Sequence, residues 1–457
     1  MKLKLSLILL LAFTACTLEP NYKRPKPGLE FAQEKIAAKE KITNVQWERF
    51  FKSADLQRVI KLALNNNKDL QAALHNIDAA QANYGVVRSN LLPTINAVGS
   101  ETRQGAPKSF AAFTPKRQFR AGISLLSFEL DFFGRIRSLK KAALEQFLST
   151  QEAEDTVRLT LITAVANGYA QLVLDNEVLA LVENSLKAQQ RKAEIMQVRY
   201  ENGINRHTDY LAMLATLETT KSNWETQKKI VEQDKNNLML LCGIFDERVL
   251  PQISSLKEIE IDEDLLSYTP SEVLLERPDV MQAEHDLKSA NANIGAARAA
   301  FFPAITLTGN YGYASRDWVS LFDNKSWTYT PQISLPIFSG GKNWSNLKYY
   351  NAQKQAKIAQ YQKVIQNAFT EAKNELAQRQ AIVEQLKSAD EILKFKKEAN
   401  RISKGSKDSG IISVYDYLDS EITFYSAQET ALSVKKEYLA NLITLYKVFG
   451  GGKSITN

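Results

Sequence analysis

The side chains most often used for nucleophilic, acid–base or metal chemistry are scarce in this chain, with three histidines and two cysteines in 457 residues. His75, His207 and His285 are far apart in the sequence. No carboxylate or Cys cluster at ligand spacing accompanies the repeat-equivalent His75 and His285, so they read as structural histidines. There is no nucleophile triad, phosphate-cradling glycine loop or Cys/His cluster in the sequence. Cys242, in the run Leu241-Cys242-Gly243, reads as a small buried hydrophobe at a helix end. One acidic constellation remains, Tyr415-Asp416-Tyr417-Leu418-Asp419. Asp416 and Asp419 stand at i and i+3 and share a helix face. Taken alone they are two solvated acids. The residue types point away from an enzyme and from any bound metal or organic cofactor.

The elements that carry these residues are written twice. Residues 71–99 recur at 281–309: His75 matches His285, Gly85 matches Gly295, Arg88 matches Arg298, Pro93 matches Pro303 and Gly99 matches Gly309. Near the hairpins the spacing between copies changes, so that Gly203 through Leu211 matches Gly410 through Leu418. Such duplication is read before any fold assignment. Each copy runs helix, proline, alternating strands, then a long helical hairpin. The first copy spans 55–243 and the second 270–450, with a mixed acidic linker at 244–269 and a tail at 451–457. A continuous helix is expected from Asp55 to about Ser89. Between Gly134 and Asn202 there is no proline and only one glycine, Gly168. A helix over that stretch would be about 100 Å long. Gly203 and Gly410 are expected at the hairpin tips, where φ > 0 is required. The return helix carries Leu418, Ile422, Tyr425, Leu432, Leu439, Ile443 and Tyr446 at four-three spacing, a coiled-coil stripe.

The N-terminus reads as a targeting segment. Lys2 and Lys4 precede an apolar run, Leu5 to Phe13, that is too short to span a bilayer. Thr14-Ala15-Cys16 closes it and resembles a bacterial lipobox, with Phe13 where that motif usually carries Leu. Residues 1–15 are then a signal peptide and Cys16 the acylated first residue. Thr17 after it points to the outer membrane. Residues 16–54, with Pro20, Pro25 and Pro27, read as an extended strap. Loss of the leader lowers the formal charge of +7 by two. Charges of both signs alternate along the helices and no basic block is interleaved with aromatics, so nucleic acid is not an expected partner.

Strand alternation raises the question of a membrane. Trp327, Tyr329, Pro331, Ile333 and Leu335 point one way; Thr328, Thr330, Gln332 and Ser334 point the other. Ile305, Leu307, Tyr311 and Tyr313 oppose Thr306, Thr308 and Asn310 in the same manner. A half-buried soluble sheet has this period too, and the strands alone favour neither reading. A sheet with two open edges, however, cannot stand in lipid, so membrane-spanning strands would require several copies to close one barrel.

Several motifs in fixed order resemble the TolC-like outer-membrane efflux factors, in the lipid-anchored OprM-like branch. They are Cys16 with Pro20-Asn21-Tyr22-Lys23-Arg24-Pro25; Trp47, Phe50, Asp55, Leu56 and Asn67-Lys68-Asp69-Leu70; Glu276-Arg277-Pro278-Asp279-Val280 with Ala283-Glu284; and the junctions Phe128 to Arg135 and Leu335-Pro336-Ile337-Phe338 with Gly340-Gly341. The resemblance covers nearly the whole chain. It implies an α+β membrane protein: a homotrimer with a 12-stranded β-barrel in the outer membrane, continuous with a long periplasmic α-helical barrel. It also implies outer-membrane lipid, a periplasmic adaptor and an inner-membrane pump as partners, and passive export of drugs or other small toxic molecules. In such channels acidic residues after the second hairpin turn ring the closable tip. Here Tyr415, Asp416 and Asp419 take that place, and Gly203 and Gly410 mark the tips where an adaptor docks. The first-hairpin equivalents are Asp209 and Ala212, so the second carboxylate is missing there. Ile422 stands where some relatives carry an Arg. The same fold also serves as the outer duct of protein-secretion systems. A coiled-coil envelope lipoprotein with no channel is the alternative outside that fold.

Overall fold

The computed structural model describes residues 17–26, 42–105, 117–251, 255–266 and 271–452. The leader and the lipidation residue Cys16 lie outside the described residues. The elements are α1 (Trp47–Phe50), α2 (Ala54–Asn66), α3 (Lys68–Ser89), β1 (Ile95–Arg103), β2 (Arg117–Leu130), α4 (Arg135–Glu201), α5 (His207–Cys242), α6 (Pro278–Ala299), β3 (Ala304–Ser315), β4 (Lys325–Ser334), α7 (Lys342–Asp408) and α8 (Val414–Val448). Short 3₁₀ turns at Glu247–Val249, Leu256–Glu258 and Glu263–Leu266 occupy the linker between the copies. The chain divides into two compact units.

The first unit contains the sheet and comprises 76–151 and 282–363 together with the N-terminal residues 17–26. Its strands are antiparallel in the order β1-β2-β3-β4, which leaves β1 and β4 as edges. Proline is tolerated at such an edge, and Pro331 sits in β4 opposite Leu307. The register builds two contrasting faces. Ile95, Ile123 and Leu125, Tyr311, and Tyr329 and Trp327 share one face. Asn96 and Ser100, Ser124, Asn310 and Thr308, and Thr328 and Thr330 share the other. A bulge interrupts β2 between Leu125 and Phe128. Three residues of β2 there advance against two of β3, and Ser127 takes φ +46°. The extra residue returns Phe128 and Leu130 to the apolar face, where they pair with Leu307 and Ile305. Gly122 and Gly312 pair on the polar face. A Cβ on either would lie 2.4 or 2.3 Å from a carbonyl oxygen of the facing strand, so only glycine allows this approach.

In the same unit, residues 17–26 lie extended over α6. Glu19 accepts from Lys141 and from Asn291, and Arg24 and Tyr22 both donate to Glu284. Burial alone would raise the Glu284 carboxyl, but Arg24, Lys288 and Tyr22 hold it below the usual range. A Cβ on Gly295 would meet Ser138 Oγ at 2.6 Å and the Glu19 backbone at 3.0 Å, so this glycine admits the strap.

The second unit holds the hairpins and most of the core, where Phe50 and Tyr446 stack with centroids 4.3 Å apart. The strap expected through residue 54 therefore ends earlier. Ile42, Trp47, Phe50 and Phe51 bury in the core, and an extended strap cannot do that without a turn and a helix to bring them together.

Each copy closes on itself through the same joint. Asn67 accepts the Leu70 N–H at 3.0 Å as the N-cap of α3, and its Nδ2 donates to the Leu241 carbonyl at 3.0 Å. This extended cap interrupts the helix expected from Asp55 to Ser89. In the second copy Arg277 stands at the matching position and donates to the Val448 carbonyl at 3.1 Å. It also clasps Asp279 at 2.8 and 3.0 Å and Glu371 at 3.0 Å. Each return helix ends in a left-handed glycine, Gly243 and Gly450, packed against this joint.

Candidate functional site: the hairpin tips and the unpartnered sheet

At the first tip, Gly203 has φ +71°; at the second, Gly410 has φ +72°. At each turn the glycine N–H bonds back three residues and the following Ile N–H five, from Ile204 to the Arg199 carbonyl and from Ile411 to that of Ser406. These bonds satisfy helix-end carbonyls, and the left-handed residue they require is cheapest as glycine. Ile204 and Ile411 are left projecting into solvent at 71% and 76% exposure.

Beyond the second turn the acidic residues separate in role. Asp416 is the N3 residue of α8. Its N–H donates to Ser413 Oγ at 3.1 Å and its carboxylate accepts from the Ser413 N–H at 3.3 Å, forming a capping box, and the carboxylate also accepts from the Ser413 hydroxyl at 2.6 Å. The Ser413 hydrogen bond holds the Asp416 carboxyl below its ordinary range. Asp419, one turn on, accepts from the Lys192 ammonium of α4. Lys192 is buried while Asp419 is exposed, so the ion pair has one dry end and one wet end. Tyr415 lies under both cations of α4, with Lys192 Nζ 4.3 Å and the Arg199 guanidinium 5.7 Å from its ring centroid. Tyr415 and Asp419 thus fasten the second hairpin to the first, while Asp416 is held within its own helix end.

Sequence reasoning missed Lys192. No local signal marks it, because its partner lies 227 positions away. Ile422, where some relatives carry an Arg, shows only that the contacts of these acids differ here, not where a cation comes from. The two histidines differ in setting. His285 Nδ1 lies 2.7 Å from Glu145 Oε2, whereas His75 is exposed. Among the described residues no group of three or more His, Cys, Asp or Glu could hold a metal ion. A cleft of about 490 Å³ between α4, α7 and α8 is lined by Leu181, Leu386 and Leu432 beside Glu177. Glu177 is already occupied, accepting from Ser255 and Leu256.

The sheet is the second candidate surface. Much of its apolar face is exposed: Ile95 is 64% exposed, Trp327 74% and Ile333 70%. Exposed apolar patches of this extent on a folded chain mark a protein or membrane interface. Sequence comparison decides the family, since residues 59–244 and 269–451, the two copies of the repeat, match the profile described as outer membrane efflux protein. The chain belongs to that family.

Named relatives of this outer membrane efflux protein agree. The probable efflux pump outer membrane protein TtgC of Pseudomonas putida is 34% identical over 97% of this chain and 95% of its own length. The cation efflux system protein CusC of Escherichia coli is 33% identical over 97% of each. The crystal structure of the open state of the Neisseria gonorrhoeae MtrE outer membrane channel superposes with a TM-score of 0.84 at 32% identity, covering 96% of this chain and 98% of that one. The family consists of channel and transport proteins, and its members are outer membrane proteins.

Proposed function

We propose that this efflux protein is the passive exit duct of a tripartite pump. Three copies close their sheets into one barrel of 12 strands, and their hairpins form a periplasmic tube. The observation that carries this reading is the four-stranded sheet with an exposed apolar face, a small-polar face and two unpaired edges. Lipid tolerates apolar side chains but not open edges, so β4 of one copy must pair with β1 of the next. The helices support the same arrangement. Leu74 and Val86 on α3, which leads into β1, and Leu376, Phe395 and Ile402 on α7, which follows β4, are large apolar side chains left exposed. A coiled-coil lipoprotein with no channel leaves the sheet unexplained.

The duct has no chemistry of its own and takes its energy from an inner-membrane pump through a periplasmic adaptor that meets the tips near Gly203 and Gly410. Its cargo is a drug or other small toxic molecule chosen by the pump. Cys16 carries a covalent lipid and is the only attached group the reading requires. The tip is closed by the cross-hairpin contact of Tyr415 and Asp419 with Lys192, and three copies of Asp416 and Asp419 place a ring of carboxylates at the aperture.

Single-channel conductance of the purified protein in planar bilayers tests this. Wild type is expected to conduct weakly, with Lys192→Ala and the Asp416→Ala/Asp419→Ala pair conducting several-fold more. Equal, high conductance in all three would move the gate elsewhere. No conductance from a well-folded oligomer, or detergent-free solubility once Cys16 is replaced, would end the duct reading.

A further inference from the structure

The apolar face of the sheet changes character at the end remote from the helices. It ends in a row of cations flanking an aromatic pair. Alternation from Ile95 places Glu101 and Arg103 on the apolar face, and the register sets Arg103 opposite Arg117 and Glu101 opposite Phe119. On the far side of that face, Lys325 begins β4 opposite Tyr313. The Arg117 guanidinium lies 4.5 Å from the centroid of the Phe119 ring and donates to Glu101 at 2.7 Å; Arg103 donates to the same carboxylate. One carboxylate thus positions two guanidinium groups and neutralises only one. Trp318 packs edge-on against Phe119 at 5.5 Å yet stays 69% exposed.

If the barrel reading above holds, this rim lies at the headgroup level of the outer leaflet. We propose that it is a binding site for a phosphorylated glycolipid of that leaflet, with one phosphate on Arg103 and Arg117, a second on Lys325, and the sugar against Trp318. Guanidinium forks match phosphate oxygens bidentately, and an ammonium serves as a point charge. Two cationic points on different strands of one face, with an exposed indole beside the first, fit a disaccharide phosphorylated at both ends better than a phospholipid with a single phosphate. Charge complementarity and continuity with the lipid-facing surface both favour that occupant.

The full acylated protein in nanodiscs, titrated with diphosphorylated lipid A, provides the test. Arg103→Ala/Arg117→Ala is expected to weaken binding about tenfold or more, and Lys325→Ala by a similar factor. Arg120→Ala removes the same charge from the opposite face of β2 and is expected to leave the affinity within about twofold. Monophosphorylated lipid A should bind more weakly and be insensitive to Lys325→Ala. An equal loss in Arg120→Ala, or equal competition by phosphatidylglycerol, would overturn the site. Should the arginine pair fail to assemble, Lys325→Ala with the two lipid A forms decides alone. Failure of the protein to enter nanodiscs would instead sink the barrel reading, and this site with it.

Discussion

The two copies carry one sequence pattern into opposite surroundings. In the first, the short helix α3 buries only Leu70, and the long helix α4 runs through the core with Ile162, Val165, Ala166, Tyr169 and Val173 all inaccessible. In the second, the short helix α6 is the buried one, through Val280, Leu287, Ala292 and Ile294, and the long helix α7 exposes Leu376, Ile392 and Phe395. Gly85 has nothing within 4 Å of a built Cβ; its counterpart Gly295 lies against Ser138 and the strap. Equal sequence therefore does not mean equal environment. Each copy leaves bare the element that its twin buries, as the proposed closure of three copies requires.

The largest test of that comparison is the closing joint. Arg277 is 9% exposed and touches two carboxylates and a carbonyl, so Arg277→Ala strands a backbone acceptor and two acids. It is expected to cost about 3 kcal/mol. Asn67→Ala, the same joint in the first copy, removes a cap and one neutral hydrogen bond and is expected to cost about 1–2 kcal/mol. Denaturant unfolding in detergent measures both. Equal losses would mean that Arg277 acts as a plain hydrogen-bond donor and that its ion pairs contribute nothing.

The glycine pair comes next. Gly295→Ala places a methyl group 2.6 Å from Ser138 Oγ and 3.0 Å from the Glu19 backbone, so the strap must shift, at about 1–3 kcal/mol. Gly85→Ala meets open space and is expected to gain up to about 1 kcal/mol from helix propensity. Opposite signs in thermal unfolding would separate the two environments. A loss at Gly85 as well would mean that a neighbouring copy packs closely against α3.

How much of this was legible in the sequence depends on the range of the interaction. The duplication, the strand alternation around Trp327 and Ile333, and the turns at Gly203 and Gly410 rest on local periodicity and on backbone demands that one residue declares. The break at Asn67 was also local, but an asparagine within a helical pattern does not reveal that its side chain will cap the next helix. The bulge at Ser127 left a trace, since the apolar residues pass from odd positions (Phe119, Ile123, Leu125) to even ones (Phe128, Leu130), but two adjacent leucines blur that shift and pairing with β3 is what locates the extra residue. Lys192 was invisible for a third reason. Its role arises where two hairpins meet, and nothing in its neighbours Arg191 and Ala193 distinguishes it from a solvated lysine.

A smaller effect comes from a carboxyl that only the first copy has. Asp175 accepts from Gln171 at 2.6 Å and from Gln227 at 2.9 Å. Burial, then its hydrogen bond and repulsion with Asp175, push the Asp234 carboxyl up from 3.8 to about 6, against a nearby Lys436 that lowers it. A raised acid favours the fold most when protonated, so its contribution is complete below about pH 4 and is lost as pH rises through about 6. The second copy has Asn441 at the matching position, where it donates to Glu375. Asp234→Asn is therefore expected to stabilise at pH 7.5 by an amount on the order of 1 kcal/mol, allowing for partial solvent screening, and to change little at pH 4. A pH-independent gain would point to packing in place of charge.

The smallest effect lies at the tips, where the copies differ in a single cap. Ser413 and Asp416 form a reciprocal box at the start of α8, whereas Arg206, at the matching place before α5, offers no side-chain cap even though Asp209 stands ready at the box position. Ser413→Ala should therefore loosen the second tip by about 1 kcal/mol, and Arg206→Ser should tighten the first by a few tenths to about 1 kcal/mol. Global unfolding will miss both changes, because a helix end frays without taking the core with it. Amide hydrogen exchange over 205–212 and 412–419 will register them, with faster exchange in the first variant and slower in the second. If Ser413→Ala also raises single-channel conductance with the Lys192–Asp419 contact left intact, the cap does more than finish a helix: it holds Tyr415 and Asp419 at the angle from which they reach α4. If conductance does not move, closure depends on the cross-hairpin contact alone, and the better-capped second tip is a matter of local stability.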